Sequence, residues 1–155
     1  MSWDTFTKIL LDLKSLNYKG AIHPYLMSEP LTDKGFDNLV MTIRKIFPRN
    51  RILINTNGDY LKSVNDVRRL INIGLTDIII NLYDKSNEHL VKASGIKQVK
   101  INRLNGLRRM YYNRGGLVNE RPIRKRPKGQ CDYVLSKMYI NYLGDIILCC
   151  SDYLY

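Results

Sequence analysis

Apolar residues at Trp3, Phe6, Ile9, Leu10, Leu13 and Leu16 recur at helical spacing, and Ser2 stands where an N-cap belongs; a helix over residues 2–16 is predicted. Asn17 ends that pattern and Gly20 opens a strand over 21–27. A second helix, 33–47, is stopped by Pro48, which has no backbone N–H to continue it. Residues 51–56 read as a strand ending on Asn57-Gly58, and 64–73 as a helix with Gly74 as its C-terminal cap. The run Ile78-Ile79-Ile80 within 77–82 is continuous rather than alternating, as expected of a parallel strand buried on both faces. A helix over 86–94 and a strand over 98–101 follow. Near the end, 137–142 and 146–149 are β-rich runs around Leu143-Gly144-Asp145, a hairpin signal. Alternating helices and strands with short connections predict an α/β fold of βα units on a parallel sheet.

In such sheets ligands bind where the C-terminal ends of the strands feed their loops. Three loops therefore carry the candidate chemistry: Ser28-Glu29-Pro30, Thr56-Asn57-Gly58 and Asn81-Leu82-Tyr83-Asp84. All three offer polar groups at one rim of the sheet, suited to a ligand with an ammonium, a carboxylate and hydroxyls. Ordinary turn and cap chemistry also favours these residue types, and Glu29 could simply cap the helix that follows it.

Composition narrows the class. At 155 residues and 45% hydrophobic content the chain can bury a core, and no apolar run approaches the ~20 residues of a membrane helix. With no secretory signal visible at the N-terminus, the expected compartment is cytoplasmic, where cysteines more often serve metals or catalysis than disulfides. The formal charge is +11, and residues 97–128 hold eleven Lys or Arg against Glu120 alone. That block reads as a solvated connector, or as a site for polyanions; in the second case Tyr111, Tyr112 and Tyr133 would offer stacking faces for nucleic acid.

All three cysteines lie late in the chain, at Cys131, Cys149 and Cys150. Twelve residues separate Cys131 from Gly144 and four separate Gly144 from Cys149. This spacing resembles the opening of the cysteine pattern of SPASM domains, the auxiliary iron–sulfur modules of many radical SAM enzymes. Further upstream, Leu26-Met27-Ser28-Glu29-Pro30-Leu31 is similar to the radical SAM second-strand motif, Thr56-Asn57-Gly58 to its third-strand ending, and Gly74-Leu75-Thr76-Asp77-Ile78-Ile79-Ile80-Asn81 to its fourth-strand wording. The resemblance implies a partial (βα) parallel barrel of radical SAM type, followed by a small cysteine-containing β-hairpin module. It implies S-adenosylmethionine as cofactor, with Ser28, Glu29, Pro30, Thr56, Asn57 and Asn81 as binding residues, and a peptide or small molecule as substrate.

It also implies a [4Fe-4S] cluster, with Cys131, Cys149 and Cys150 as metal ligands. Adjacent residues on a strand point to opposite faces, so an inert thiol is the alternative for Cys150. The implied division is an incomplete core over 1–102, a basic connector over 103–130 and the start of a SPASM-like module over 131–155. The chain departs from the family in one respect: the SAM-cleaving cluster needs a Cys-x3-Cys-x2-Cys loop, and no cysteine precedes Cys131. The expectation is thus a truncated piece, inactive without the remainder of the enzyme. The alternatives are a nucleic-acid-binding module or a cluster-free regulatory subunit, and a zinc site would lack an evident fourth ligand.

Overall fold

The computed structural model describes residues 1–83, 85–103 and 132–149. In chain order the elements are α1 (Trp3–Ser15), a 3-10 turn (Pro30–Thr32), α2 (Phe36–Ile46), β1 (Leu53–Thr56), α3 (Val64–Asn72), β2 (Asp77–Leu82), a 3-10 segment (Glu88–Gly95) and β3 (Val99–Arg103). After the basic stretch come α4 (Asp132–Ser136), β4 (Tyr139–Ile140) and β5 (Ile146–Ile147). Strands β1, β2 and β3 form one parallel sheet in sequence order, and β4 and β5 pair antiparallel.

The register sorts the sheet into two faces. Ile54, Ile78 and Val99 are neighbours, as are Thr56, Ile80 and Ile101. Side chains on this face join Val40 and Ile43 of α2 and Val67 and Leu70 of α3 in one core. The other face carries Asn55, Ile79 and Lys100 in one row and Asn81 and Asn102 in another. Ile78 and Ile80 are fully buried while Ile79 is only half-buried. The isoleucine run is therefore not buried on both faces: helices cover one side, and polar side chains open the other.

Local chemistry sets the helix ends. Ser2 Oγ accepts from the Thr5 N–H at 3.1 Å, as expected of the cap of α1. At α3, Ser63 and Asp66 form a reciprocal capping box, satisfying donors that a helix start leaves unpaired. Gly74 follows at φ +126°, a backbone conformation side chains rarely adopt. Arg44, near the end of α2, donates through Nε and Nη2 to the Gly74 carbonyl at 3.1 and 2.7 Å. Its Nη1 reaches the carbonyls of Phe47, Pro48 and Asn50 at 3.1, 3.0 and 2.9 Å. One guanidinium thus collects the carbonyls left at the end of α2 and ties them to the end of α3.

The strand expected over 21–27 is not formed. Only Ile22 bridges the sheet, donating to the Arg51 carbonyl at 2.8 Å and accepting from the Leu53 N–H at 3.0 Å. Pro24 has no N–H to extend the ladder. A side chain takes over instead: the Tyr25 hydroxyl accepts from the Asn55 backbone N–H at 3.0 Å and from Asn55 Nδ2 at 2.6 Å. The helix expected over 86–94 is a 3-10 segment, and that expected over 33–47 begins only at Phe36, after the separate 3-10 turn.

The C-terminal hairpin is shorter than its β-rich runs predict, with two residues per strand. Buried Asn141 explains the tight closure: its Oδ1 accepts from the N–H groups of Leu143 and Asp145, both at 2.9 Å. Gly144 completes the turn at φ +99°.

At the start of β2, Arg51 donates to both oxygens of Asp77, Nε to Oδ2 at 3.1 Å and Nη2 to Oδ1 at 2.7 Å. This hydrogen bonding holds the Asp77 carboxyl below its ordinary value. A depressed folded-state value stabilises the fold above the unfolded aspartate range, and that contribution is lost as pH falls through the folded value. The stability difference between wild type and Asp77→Asn is expected to hold steady above about pH 5 and to shrink as pH falls below about 4. Urea midpoints across that range check it, and a constant difference would contradict the ion pair's contribution.

Candidate functional site

Glu29 organises the site. As cap of the 3-10 turn, its Oε1 accepts from the Leu31 N–H at 3.2 Å. The same oxygen accepts from Thr56 Oγ1 at 2.6 Å, and Oε2 accepts from the Asn57 N–H at 2.8 Å. The carboxylate thus clamps the loop at residues 28–30 onto the end of β1. Thr56 Oγ1 in turn accepts from the Gly58 N–H at 3.1 Å. Gly58 sits at φ +86°, where an added Cβ would lie 2.8 Å from Leu90 Cδ1. The turn after β1 is therefore fixed from both sides, by hydrogen bonds above and by packing below.

Met27, Ser28, Glu29, Asn55, Thr56, Asn57, Asn81 and Tyr83 line an open cavity of about 350 Å3 at the C-terminal ends of β1 and β2. Five of the six residues expected to bind the cofactor meet here: Ser28, Glu29, Thr56, Asn57 and Asn81. Pro30 does not; it is buried as the first residue of the 3-10 turn. Ser28 is exposed at the mouth, and Asn57 is half-buried. Asn57 Nδ2 donates to Asp59 Oδ2 at 2.7 Å, while its Oδ1 accepts from the Asp59 N–H at 3.0 Å. Asn81 Oδ1 accepts from Asn102 Nδ2 at 3.1 Å across β2 and β3.

Sequence reasoning missed Asn55 and Asn102. The available signal was position: Lys100 and Asn102 alternate with Val99 and Ile101 on β3, and Asn55 follows buried Ile54 on β1, so each belongs to the face the helices leave open. His89 Nε2 lies 3.1 Å from the Leu61 carbonyl oxygen, and His23 is exposed near the Arg51–Asp77 pair.

The cysteine expectations fare differently. Cys131 and Cys150 lie outside the described residues, and Cys149 is half-buried just past β5. Among the described residues no group of three or more His, Cys, Asp or Glu could hold a metal ion. Most of the basic block, with Tyr111 and Tyr112, also lies outside them, as does Asp84. Among the described residues no helix is long and apolar enough to cross a membrane.

A parallel sheet in sequence order, helices on one face and a polar cavity at the strand ends make this an α/β fold of βα units. The same fold is found in a solved structure, BtrN in complex with AdoMet and 2-DOIA, which superposes with a TM-score of 0.82 at 23% identity. That match covers 98% of this chain and 61% of the other. A selenomethionine form of BtrN in an open conformation matches with a TM-score of 0.54 at 24% identity, over 68% of this chain and 45% of that one. In sequence, the chain is 24% identical over 152 residues to the S-adenosyl-L-methionine-dependent 2-deoxy-scyllo-inosamine dehydrogenase of Niallia circulans. It covers 96% of this chain and spans 60% of that relative's length. No protein-family model matches the chain.

These matches correct the reading of the late cysteines as the start of a SPASM module. Nearly the whole chain aligns with one dehydrogenase, and no model of an auxiliary module matches any part of it. The physical reason lies in the hairpin. Asn141 closes the turn at Gly144 with its own side chain, so the Leu143-Gly144-Asp145 signal is that of an ordinary tight turn.

Proposed function

We propose that this chain binds S-adenosylmethionine in the cavity at the ends of β1 and β2, as part of an enzyme of radical SAM type that dehydrogenates a small hydroxylated substrate. The observation that carries the reading is the convergence of Ser28, Glu29, Thr56, Asn57 and Asn81, five residues from three separate loops, on one opening. Its size falls within the usual range for small-molecule sites, and polar groups outnumber apolar ones along its wall. The names of the dehydrogenase from Niallia circulans and of the BtrN complex support both the cofactor and the substrate class.

The residues divide the work. Glu29 has its carboxylate committed to Thr56, Asn57 and Leu31, so it shapes the cavity wall. Asn57 and Asn81 present carboxamides, and Ser28 a hydroxyl at the mouth. Bound S-adenosylmethionine supplies a sulfonium whose one-electron cleavage begins radical SAM chemistry. Among the described residues no group of three or more His, Cys, Asp or Glu is placed to hold the [4Fe-4S] cluster which that cleavage uses. The proposal for this chain is therefore cofactor binding and orientation.

Titration calorimetry with S-adenosylhomocysteine tests it. Wild type is expected to bind with 1:1 stoichiometry. Ser28→Trp, which fills the mouth from an exposed position, is expected to abolish binding with an unchanged melting temperature. Absence of binding to wild type, or full binding to the tryptophan variant, would overturn the assignment.

A further inference from the structure

A second concavity lies between two helices and shares no residue with the cavity at the strand ends. It is an open groove of about 510 Å3 between the start of α1 and the outer face of α2, lined by Trp3, Gly35, Asn38, Met41, Thr42 and Lys45. Its size falls within the usual range for small-molecule sites. Asn38, Met41, Thr42 and Lys45 stand at i, i+3, i+4 and i+7, one stripe along α2. That stripe is not the one α2 gives to the core, which takes Phe36, Val40 and Ile43. Helix α1 joins the same core through Phe6, Leu10 and Leu13, yet Trp3 and Met41 stay 51% and 45% exposed. The Trp3 ring rests on Phe6, with centroids 5.3 Å apart, so one edge is braced while the rest faces the groove.

Each polar side chain on the groove wall can donate a hydrogen bond, and no carboxylate lines it. Among the described residues the side chains of Trp3, Asn38 and Thr42 make no hydrogen bond, and Lys45 joins no ion pair. Of the acids next to them in sequence, Asp37 is paired with Arg69 and Asp4 does not line the groove. Charge complementarity therefore selects an anion. The indole and the thioether select an apolar body, and both favour an aromatic ring. The geometry points to a binding site for a small aromatic carboxylate. Its acid group takes donors from Lys45 and Thr42, which lie three residues apart on one helix face, and its ring lies between Trp3 and Met41. The site stands independently of the cofactor reading.

Trp3 is the only tryptophan of the chain, so its fluorescence reports on this groove alone. Titrating the 155-residue chain with 3-phenylpropionate is expected to change that emission saturably. 3-Phenylpropan-1-ol, which lacks the acid, and propionate, which lacks the ring, are each expected to bind about tenfold more weakly or worse. Lys45→Glu, at an exposed position outside the core, is expected to weaken 3-phenylpropionate by about tenfold or more with an unchanged melting temperature. The two ligand-side deletions give the answer even where the variant folds poorly. No saturable change with wild type, or equal affinity of wild type and Lys45→Glu for the acid, would overturn the site. An alcohol that binds as tightly as the acid would do the same, because it would mark apolar adsorption without recognition of charge. A shift of Trp3 emission that grows with protein concentration alone would give the groove to a second copy of the chain and overturn the small-molecule assignment.

Discussion

Glu29→Ala is expected to lower the stability of the fold by about 2–4 kcal/mol, because it strips three donors of their partner at once. The Thr56 hydroxyl is buried, and the Asn57 and Leu31 N–H groups point at the carboxylate from two directions. For a chain of this size that loss corresponds to a fall of roughly 5–12 °C in melting temperature. Affinity for S-adenosylhomocysteine should fall more than tenfold as well, since the loop at 28–30 would no longer be held against β1. Glu29→Gln separates charge from shape. Its carbonyl oxygen can still accept from Thr56 and Leu31, but its amide group meets the Asn57 N–H donor to donor. An intermediate melting temperature is therefore expected. Thermal unfolding of the three proteins, followed by calorimetry at a temperature where all are folded, measures both effects. A stable alanine variant with wild-type affinity would mean that the clamp does not shape the site.

Arg44→Ala is expected to cost about 2–4 kcal/mol by a different route, leaving the carbonyls of Phe47, Pro48, Asn50 and Gly74 without their shared donor. Arg44→Lys should rescue little of this loss. An ammonium carries three donors around one point, whereas the carbonyls here are spread around the edge of a planar guanidinium. Urea unfolding gives the comparison directly. If lysine restored the wild-type midpoint, the charge rather than the fork would be what matters.

The legibility of this fold followed the physics of each segment. β2 matches its expected range because an uninterrupted β-branched run has few other conformations that bury it. What the run could not reveal was which face is covered, since that depends on helices elsewhere in the chain. The segment around Tyr25 was misread for a similar reason. Its apolar content suits a strand, but Pro24 stops the ladder, and the hydroxyl that replaces it acts across thirty residues of sequence.

The candidate site was legible where it lies at the C-terminal ends of strands, as at Thr56-Asn57 and Asn81, because strand ends are recognisable from local pattern. Asn102 was hidden because its partnership with Asn81 exists only once β2 and β3 are in register. The turn at Gly144-Asp145 was legible from its glycine, but the Asn141 side chain that closes it was not, because that role appears only once the hairpin is formed.

The order of the sheet also bears on how the chain reaches it. Ile22, β1, β2 and β3 lie side by side in the sequence in which they are made. No strand has to be inserted between two that have already paired, and each new pairing closes a loop of only a few tens of residues, for which the entropic cost is small. The sheet can accordingly be assembled by addition at one growing edge while synthesis proceeds from the N-terminus. On that route the clamp between Glu29 and β1 forms before β2 docks, so one wall of the cavity is built ahead of the strand that brings Asn81 to it.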